Sequence, residues 1–216
     1  YAALAQTYAE WGYLRQFQGE NFEFYYEKAL SYSTQAMTLN ADLLEVQKAR
    51  VLALLRKQRK EEAKQIAEAL VNRSPNDMEN VIFLALATEE YEEQVRLFDK
   101  VNLLNPKLVW GRIYLGDIHN AQENFSEAIY EYENSLRLNS HYAPVYSRLG
   151  LLYAQKNSWG QAQEYFEKAL KYDAQNSLYQ VYHARILGIK GQTSQAEQLL
   201  KKVTSEMPSL ALGYLY

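Results

Sequence analysis

The equal spacing of three small side chains is the feature that most restricts what this 216-residue chain can fold into. Gly116, Gly150 and Ala184 stand at one fixed interval, and an alanine follows each of them at the same shorter distance. A large apolar residue stands four positions after the alanine in all three copies. The interval, about 34 residues, is within the range of roughly 20–50 residues that is typical of stacked repeats. The spacing therefore predicts a repeat protein.

Each copy has the pattern expected of two helices that pack as a hairpin. Small residues on both helices allow a close crossing, because larger side chains would push the axes beyond the roughly 8–10 Å at which helices pack. Prolines stand where the second helix of a unit must stop, since proline cannot extend a helix. The register of the repeat predicts one domain, 1–216. It begins with an atypical unit, 1–43, and ends with a partial capping helix, 211–216. The regular units between them are 44–77, 78–108, 109–142, 143–176 and 177–210.

Two units depart from the regular spacing. Ala5 and Ala29 stand at twice the distance that separates the paired small residues of the regular units, which predicts longer helices in the first hairpin or an ordered loop around Gly19. The unit 78–108 is three residues short, and we place this deletion in the turn near Glu90 and Tyr91.

The best copy of the repeat contains Leu149-Gly150, Tyr153, Ala162 and Phe166. This pattern resembles the tetratricopeptide repeat family. The resemblance implies an all-α fold, a right-handed superhelix of about six helix hairpins, whose concave groove is lined by the first helix of each hairpin. It also implies a protein or peptide partner in that groove. We expect a bacterial source and favour the cytoplasm over the periplasm.

The inner columns of the family identify the candidate partner-binding residues. Trp110 has two interpretations, either an exposed anchor for a partner or a residue packed on the second helix of the preceding unit. No three consecutive units supply the Lys, Asn and Arg side chains with which the family clamps a C-terminal carboxylate. The candidates are Lys48, Phe83, Trp110, Tyr114, Asp117, Asn120, Arg148, Tyr182 and Arg185.

Composition and motifs argue against several other classes of function. A net charge of −3 is unlike the basic surplus of nucleic-acid-binding domains, and cysteine is absent from the sequence. No apolar run is long enough to span a membrane. His119, His141 and His183 share no metal-ligand spacing. We therefore expect no enzyme, small-molecule substrate, cofactor or metal, and we allow for self-association through the end repeats.

Two alternative functions remain open. The long first hairpin resembles the tetratricopeptide regions of bacterial adenylate cyclases and serine/threonine kinases, and a chain that begins with Tyr1 suggests a piece of a longer signalling protein. The second alternative is an adaptor that contacts nucleic acid or a membrane through the basic turn Arg56–Lys60. We expect the acidic turn Glu89–Glu93 to stabilise that basic turn instead.

Overall fold

The computed structural model describes residues 1–17, 23–40 and 43–206, and helices joined by short connections make up this part of the chain. The chain divides at Pro106 into two compact units. The N-terminal unit contains α1 (Ala2–Phe17), α2 (Glu23–Leu39), α3 (Leu44–Arg56), α4 (Lys60–Arg73), α5 (Met78–Ala87) and α6 (Tyr91–Leu104). The C-terminal unit contains α7 (Val109–Ala121), α8 (Phe125–Leu138), α9 (Ala143–Gln155), α10 (Trp159–Tyr172), α11 (Ser177–Ile189) and α12 (Thr193–Glu206).

The helices pack as consecutive pairs: α1 with α2, α3 with α4, and so on to α11 with α12. The predicted all-α fold of six helix hairpins is therefore confirmed for the described residues. In the first hairpin α1 has 16 residues and α2 has 17, against 13 for α3 and 14 for α4. The longer helices explain the wide separation of Ala5 and Ala29, which are both fully buried in one core cluster. The loop expected around Gly19 lies outside the described residues.

Close crossings between paired helices build the core of the C-terminal unit. Gly116 on α7 faces the ring of Tyr132 on α8, and Gly150 on α9 faces the ring of Phe166 on α10. Both rings are buried, at 1% and 0% exposure. A glycine on one helix thus makes room for an aromatic ring on the next helix. This contact recurs after 34 residues, which explains the period in the sequence.

The turns inside four of the hairpins share one backbone feature. Gln58, Glu123, Asn157 and Gly191 have φ between 56° and 79°, and each is the middle residue of a three-residue turn. This left-handed conformation ends a helix and reverses the chain, and it favours glycine because other residues are strained there. Only one of the four positions is occupied by glycine.

The shortened unit, 78–108, differs from the prediction. Its helix α5 has 10 residues where α3, α7, α9 and α11 have 13, while the turn after it, 88–90, keeps three residues like the others. The expectation that the deletion falls in the turn near Glu90 and Tyr91 is wrong. Deleting three residues from a three-residue connection would leave nothing to join the two helices. Removing three residues from a helix shortens it by nearly one turn and so keeps its packed face close to register.

The helix ends agree with the proline positions. Helix α4 ends at Arg73 and α6 ends at Leu104, each two residues before a proline, Pro75 and Pro106. Pro208 lies outside the described residues. None of the described helices combines the length and the apolar character that crossing a bilayer requires.

We predict that Gly116→Ala lowers the free energy of unfolding by about 1–3 kcal/mol, the usual cost of overpacking a core. The added Cβ would lie 2.6 Å from Cδ1 of Tyr132, whose ring is buried and whose hydroxyl is hydrogen-bonded, so it has little room to move. Urea unfolding followed by circular dichroism measures the change.

Gly188→Ala is the matched control, because an added Cβ there has no neighbour within 4 Å. We expect this substitution in α11 to stabilise the protein by up to about 1 kcal/mol, since alanine is the better helix former. Equal effects of the two substitutions would contradict the close crossing at Gly116.

Candidate functional site

A groove with a volume of about 390 Å³ lies in the C-terminal unit. Residues of α9 and α11 form most of its lining, and α7 and α10 contribute the rest. The apolar lining residues are Leu151, Ala154, Trp159, Phe166, Ile186 and Ile189. We call this feature the C-terminal groove. Its volume is within the range of about 300–1,000 Å³ that is usual for ligand sites.

Four polar side chains complete the lining: Asn120, Gln155, Tyr182 and Arg185. Neither Asp nor Glu is among the lining residues. The side-chain oxygen of Asn120 is buried and has no hydrogen-bond partner in the described part of the chain. Since a buried acceptor without a donor is costly, this atom is suited to accept a hydrogen bond from water or from a bound molecule.

The structure brings together three of the residues that the sequence identified: Asn120, Tyr182 and Arg185. They come from α7 and α11, and the ring of Tyr182 packs on Phe166 with 5.6 Å between ring centroids. The inner columns of the repeat therefore do contribute to one surface.

Sequence reasoning missed Trp159 and Ile189, which also line the groove. Ile189 lies one helical turn after Arg185 on α11, so continuing the inner face by one turn would have identified it. Its side chain is 54% exposed, so much of its apolar surface is accessible in the groove. Trp159 begins α10, a second helix, and no inner-column pattern would identify it.

Asp117 and Arg148, also predicted groove residues, form an ion pair with each other. The Arg148 guanidinium donates from Nε to Asp117 Oδ1 at 2.8 Å and to Oδ2 at 3.1 Å, which connects α9 to α7. The Tyr132 hydroxyl donates to the same Oδ1 at 2.7 Å. Burial and the neighbouring carboxylate raise the pKa of Tyr132, so its hydroxyl remains a donor. Both charged groups thus have a structural role.

Trp110 and Tyr114 lie one turn apart on α7. Their rings meet edge to face with centroids 5.7 Å apart, and Trp110 is half-buried against a core cluster that includes Ile113 and Leu149. Tyr114 is 36% exposed. Trp110 therefore has a packing role in the C-terminal unit, and part of its surface is left for contact.

Lys48 and Phe83, the two candidates in the N-terminal unit, have internal partners. Lys48 Nζ lies 3.1 Å from Asp77 Oδ2 and 2.6 Å from Glu79 Oε2. Burial lowers the pKa of Lys48, but the two carboxylates have the larger combined effect, so the pKa is raised above its ordinary value. Phe83 is 8% exposed, so little of its ring is accessible.

The basic turn forms ion pairs with acidic residues, and one of these pairs, Lys60 with Glu89, joins it to the acidic turn as predicted. Lys60 forms an ion pair with Glu89 and Lys64 forms one with Glu90, each at 3.2 Å. Arg59 donates to the carboxylate of Glu62, and Lys57 lies 3.0 Å from Glu27. Surface pairs of this kind contribute little stability each, but they neutralise the turn.

His183 occupies a packed position on α11. Its Nε2 is buried without a hydrogen-bond partner, and Oε1 of Glu167 lies 3.6 Å away. Burial lowers the pKa of His183, and Glu167 opposes that shift without overcoming it. Within residues 1–17, 23–40 and 43–206, no group of three or more His, Asp and Glu side chains is arranged to hold a metal ion.

Two family models match the C-terminal unit. A model described as TPR repeat matches residues 116–157, and one described as Tetratricopeptide repeat matches residues 143–176. The human protein Tetratricopeptide repeat protein 6 is 34% identical over 61 residues, which are 28% of this chain. The matched region spans 12% of the length of this curated relative.

Solved structures with the same fold cover most of the chain. A thermophilic tetratricopeptide repeat protein of Thermus thermophilus has a TM-score of 0.67 at 18% identity, with 85% of this chain and 98% of that one covered. MamA of Desulfovibrio magneticus has a TM-score of 0.63 at 22% identity, with 76% and 94% covered. YrrB, described as a TPR protein with an unusual peptide-binding site, has a TM-score of 0.56 at 16% identity, with 84% and 96% covered. Identities this low support the fold alone, and they leave the expected bacterial source a prediction.

We predict that Asp117→Ala lowers the free energy of unfolding by about 1–3 kcal/mol, because it leaves the buried Tyr132 hydroxyl without an acceptor. Asp117→Asn keeps an acceptor oxygen and should cost less. Adding Tyr132→Phe to Asp117→Ala removes the orphaned hydroxyl, so the double variant should be no less stable than Asp117→Ala alone. Additive losses in urea unfolding would contradict the hydrogen bond.

We also predict that His183 makes the protein less stable in mildly acidic solution. Because its pKa is lowered in the folded state, the unfolded chain binds more protons near the ordinary His value of about 6.5. The free energy of unfolding should therefore fall between about pH 7.5 and pH 5.5 in the wild type and fall less in His183→Leu.

Glu167→Gln is the control for this prediction. It removes the carboxylate that opposes the shift, so its loss of stability over the same pH interval should be steeper than in the wild type. Parallel pH profiles for all three proteins would show that His183 does not contribute.

Proposed function

Since this chain is a tetratricopeptide repeat protein, we propose that it is an interaction scaffold that binds a peptide segment of a partner protein in the C-terminal groove. Proteins with this fold generally mediate protein–protein interactions. YrrB, one of the structural relatives, is described as having an unusual peptide-binding site, which supports a peptide as the occupant.

The observation that carries the proposal is the exposed apolar surface inside the groove. Ile189 is 54% exposed. Isoleucine is otherwise among the residues most often buried. Ile189 lines the same groove as Leu151 and Trp159, both only partly buried. A side chain of a partner that covers these residues would gain the hydrophobic free energy of their burial.

The polar groups of the groove suit a polypeptide better than a wholly apolar ligand. Asn120 and Gln155 carry amide groups, which both donate and accept hydrogen bonds and so match a peptide main chain. Arg185 adds donors and no acceptor. A segment with an apolar side chain directed into the groove and its main chain at the amides would satisfy both kinds of lining residue.

The other functions receive less support. Contact with nucleic acid or a membrane through the basic turn would need its cations, of which Lys57, Arg59 and Lys60 instead pair with Glu27, Glu62 and Glu89. A regulatory role inside a larger signalling protein, self-association through the end repeats and the absence of enzymatic activity stay predictions.

We predict that peptides selected on the wild-type protein lose affinity for Ile189→Gln by about tenfold. A loss of about 1.4 kcal/mol of apolar burial corresponds to that factor. The selection uses a phage-displayed library of random 12-residue peptides, and fluorescence anisotropy with synthetic copies measures the affinity. Glutamine is neutral, so the charge of Arg185 stays unchanged.

Leu138→Gln is the matched control, because Leu138 is 42% exposed in the same unit and does not line the groove. It should leave the affinity of the selected peptides unchanged. Peptides that bind the two variants equally well, or a selection that yields no specific binder, would contradict the proposal.

A further inference from the structure

We propose that the C-terminal groove selects extended peptide segments in which an acidic side chain stands two residues from a large apolar side chain, with the acid paired to Arg185. This inference rests on the proposed function and specifies its partner. The apolar residue of the peptide would contact Ile189 and Trp159.

The charge balance of the groove supports an acidic partner. Arg185 is exposed and has no ion-pair or hydrogen-bond partner within the described residues. It is the one charged residue among those that line the groove, so the lining carries a formal charge of +1. No carboxylate of the lining competes with, or repels, an incoming acid.

The other arginines of α7 and α9 show that this lack of a partner is specific. Arg112 donates to Glu131 at 3.0 Å, and Arg148 forms its pair with Asp117. On these neighbouring first helices of a hairpin, each guanidinium has an internal carboxylate. Arg185 on α11 has no internal carboxylate as a partner, so a carboxylate of a bound peptide would not have to displace one.

Pairing at this position would be stronger than at an open surface. A guanidinium can hold a carboxylate through two parallel hydrogen bonds. Ile186 and Ile189 line the same groove as Arg185, and a bound peptide would exclude water from it, which strengthens an ion pair there. The combination of apolar contact and a guanidinium is typical of residues that dominate interface affinity.

Helix geometry sets the spacing in the peptide. Arg185 and Ile189 are four residues apart on α11. Side chains so related have Cβ atoms about 5–6 Å apart. Successive side chains of an extended peptide point to opposite faces, and side chains two residues apart lie about 6–7 Å apart on one face, so the acid and the apolar residue should be two positions apart.

An acidic side chain fits this groove better than a terminal carboxylate. Capture of a chain terminus uses several converging donors, such as a nest of backbone N–H groups. The lining supplies one guanidinium and no lysine, and most of its residues lie within helices, whose N–H groups are already hydrogen-bonded. We therefore assign the charge to an internal Asp or Glu.

The test repeats the random 12-residue selection on the wild type, Arg185→Ala and Arg185→Glu, with circular dichroism to establish that each variant is folded. Wild-type binders should share an Asp or Glu two positions from Leu, Ile, Phe or Trp. Arg185→Glu should select Lys or Arg at that position, and Arg185→Ala should select neither charge. In a wild-type binder, Asp→Asn should weaken binding about tenfold to the wild type and less than about twofold to Arg185→Ala.

Arg137→Ala is the matched control, because Arg137 is an exposed arginine of α8 that does not line the groove. It should return the wild-type consensus. Binders that depend on Ile189 but show no acid, or keep the acid on Arg185→Ala, would overturn this inference and leave the proposed function standing. Binders that do not depend on Ile189 would overturn both.

Discussion

The close approach of two helices at a glycine is the constraint on which the rest of the structure depends. At Gly116 the backbone of α7 comes so near the ring of Tyr132 that an added Cβ would lie 2.6 Å from Cδ1 of the ring. Gly150 and Phe166 repeat the arrangement in the next hairpin. Each contact sets the distance between a first and a second helix, and the 34-residue period repeats that distance along the chain. The face of the first helices that the crossing does not use is then available to a partner.

Internal pairing decides which inner-face side chains are available. Asp117 and Arg148 stand on predicted inner columns, but they pair with each other, and Asp117 also accepts a hydrogen bond from the hydroxyl of Tyr132. Lys48 is similarly held by Asp77 in the N-terminal unit. Residue type and column alone would rank these groups with Arg185. The contacts distinguish the paired groups from Arg185. A paired charge must break its internal ion pair before it binds a new partner, and the free energy lost is comparable to the free energy gained.

Departures from the regular repeat occur where they leave helix pairing unchanged. The shortened helix α5 loses nearly one turn while its connection keeps three residues, since the loss of three residues there would leave no connection. Gln58, Glu123 and Asn157 occupy left-handed turn positions, where glycine would be less strained. In each case the helices on the two sides of the connection still pack as a pair.

The sequence by itself predicted the all-α fold of paired helices, because a 34-residue period and helical spacing are properties of the chain alone. It also placed Asn120, Tyr182 and Arg185 on inner columns, and the structure brings them to one groove. Only the tertiary structure decided that Trp159 from a second helix joins them and that Asp117 is paired with Arg148, which lies two helices further along the chain. Such contacts depend on the distance between side chains on different helices, which packing sets and which sequence spacing does not contain.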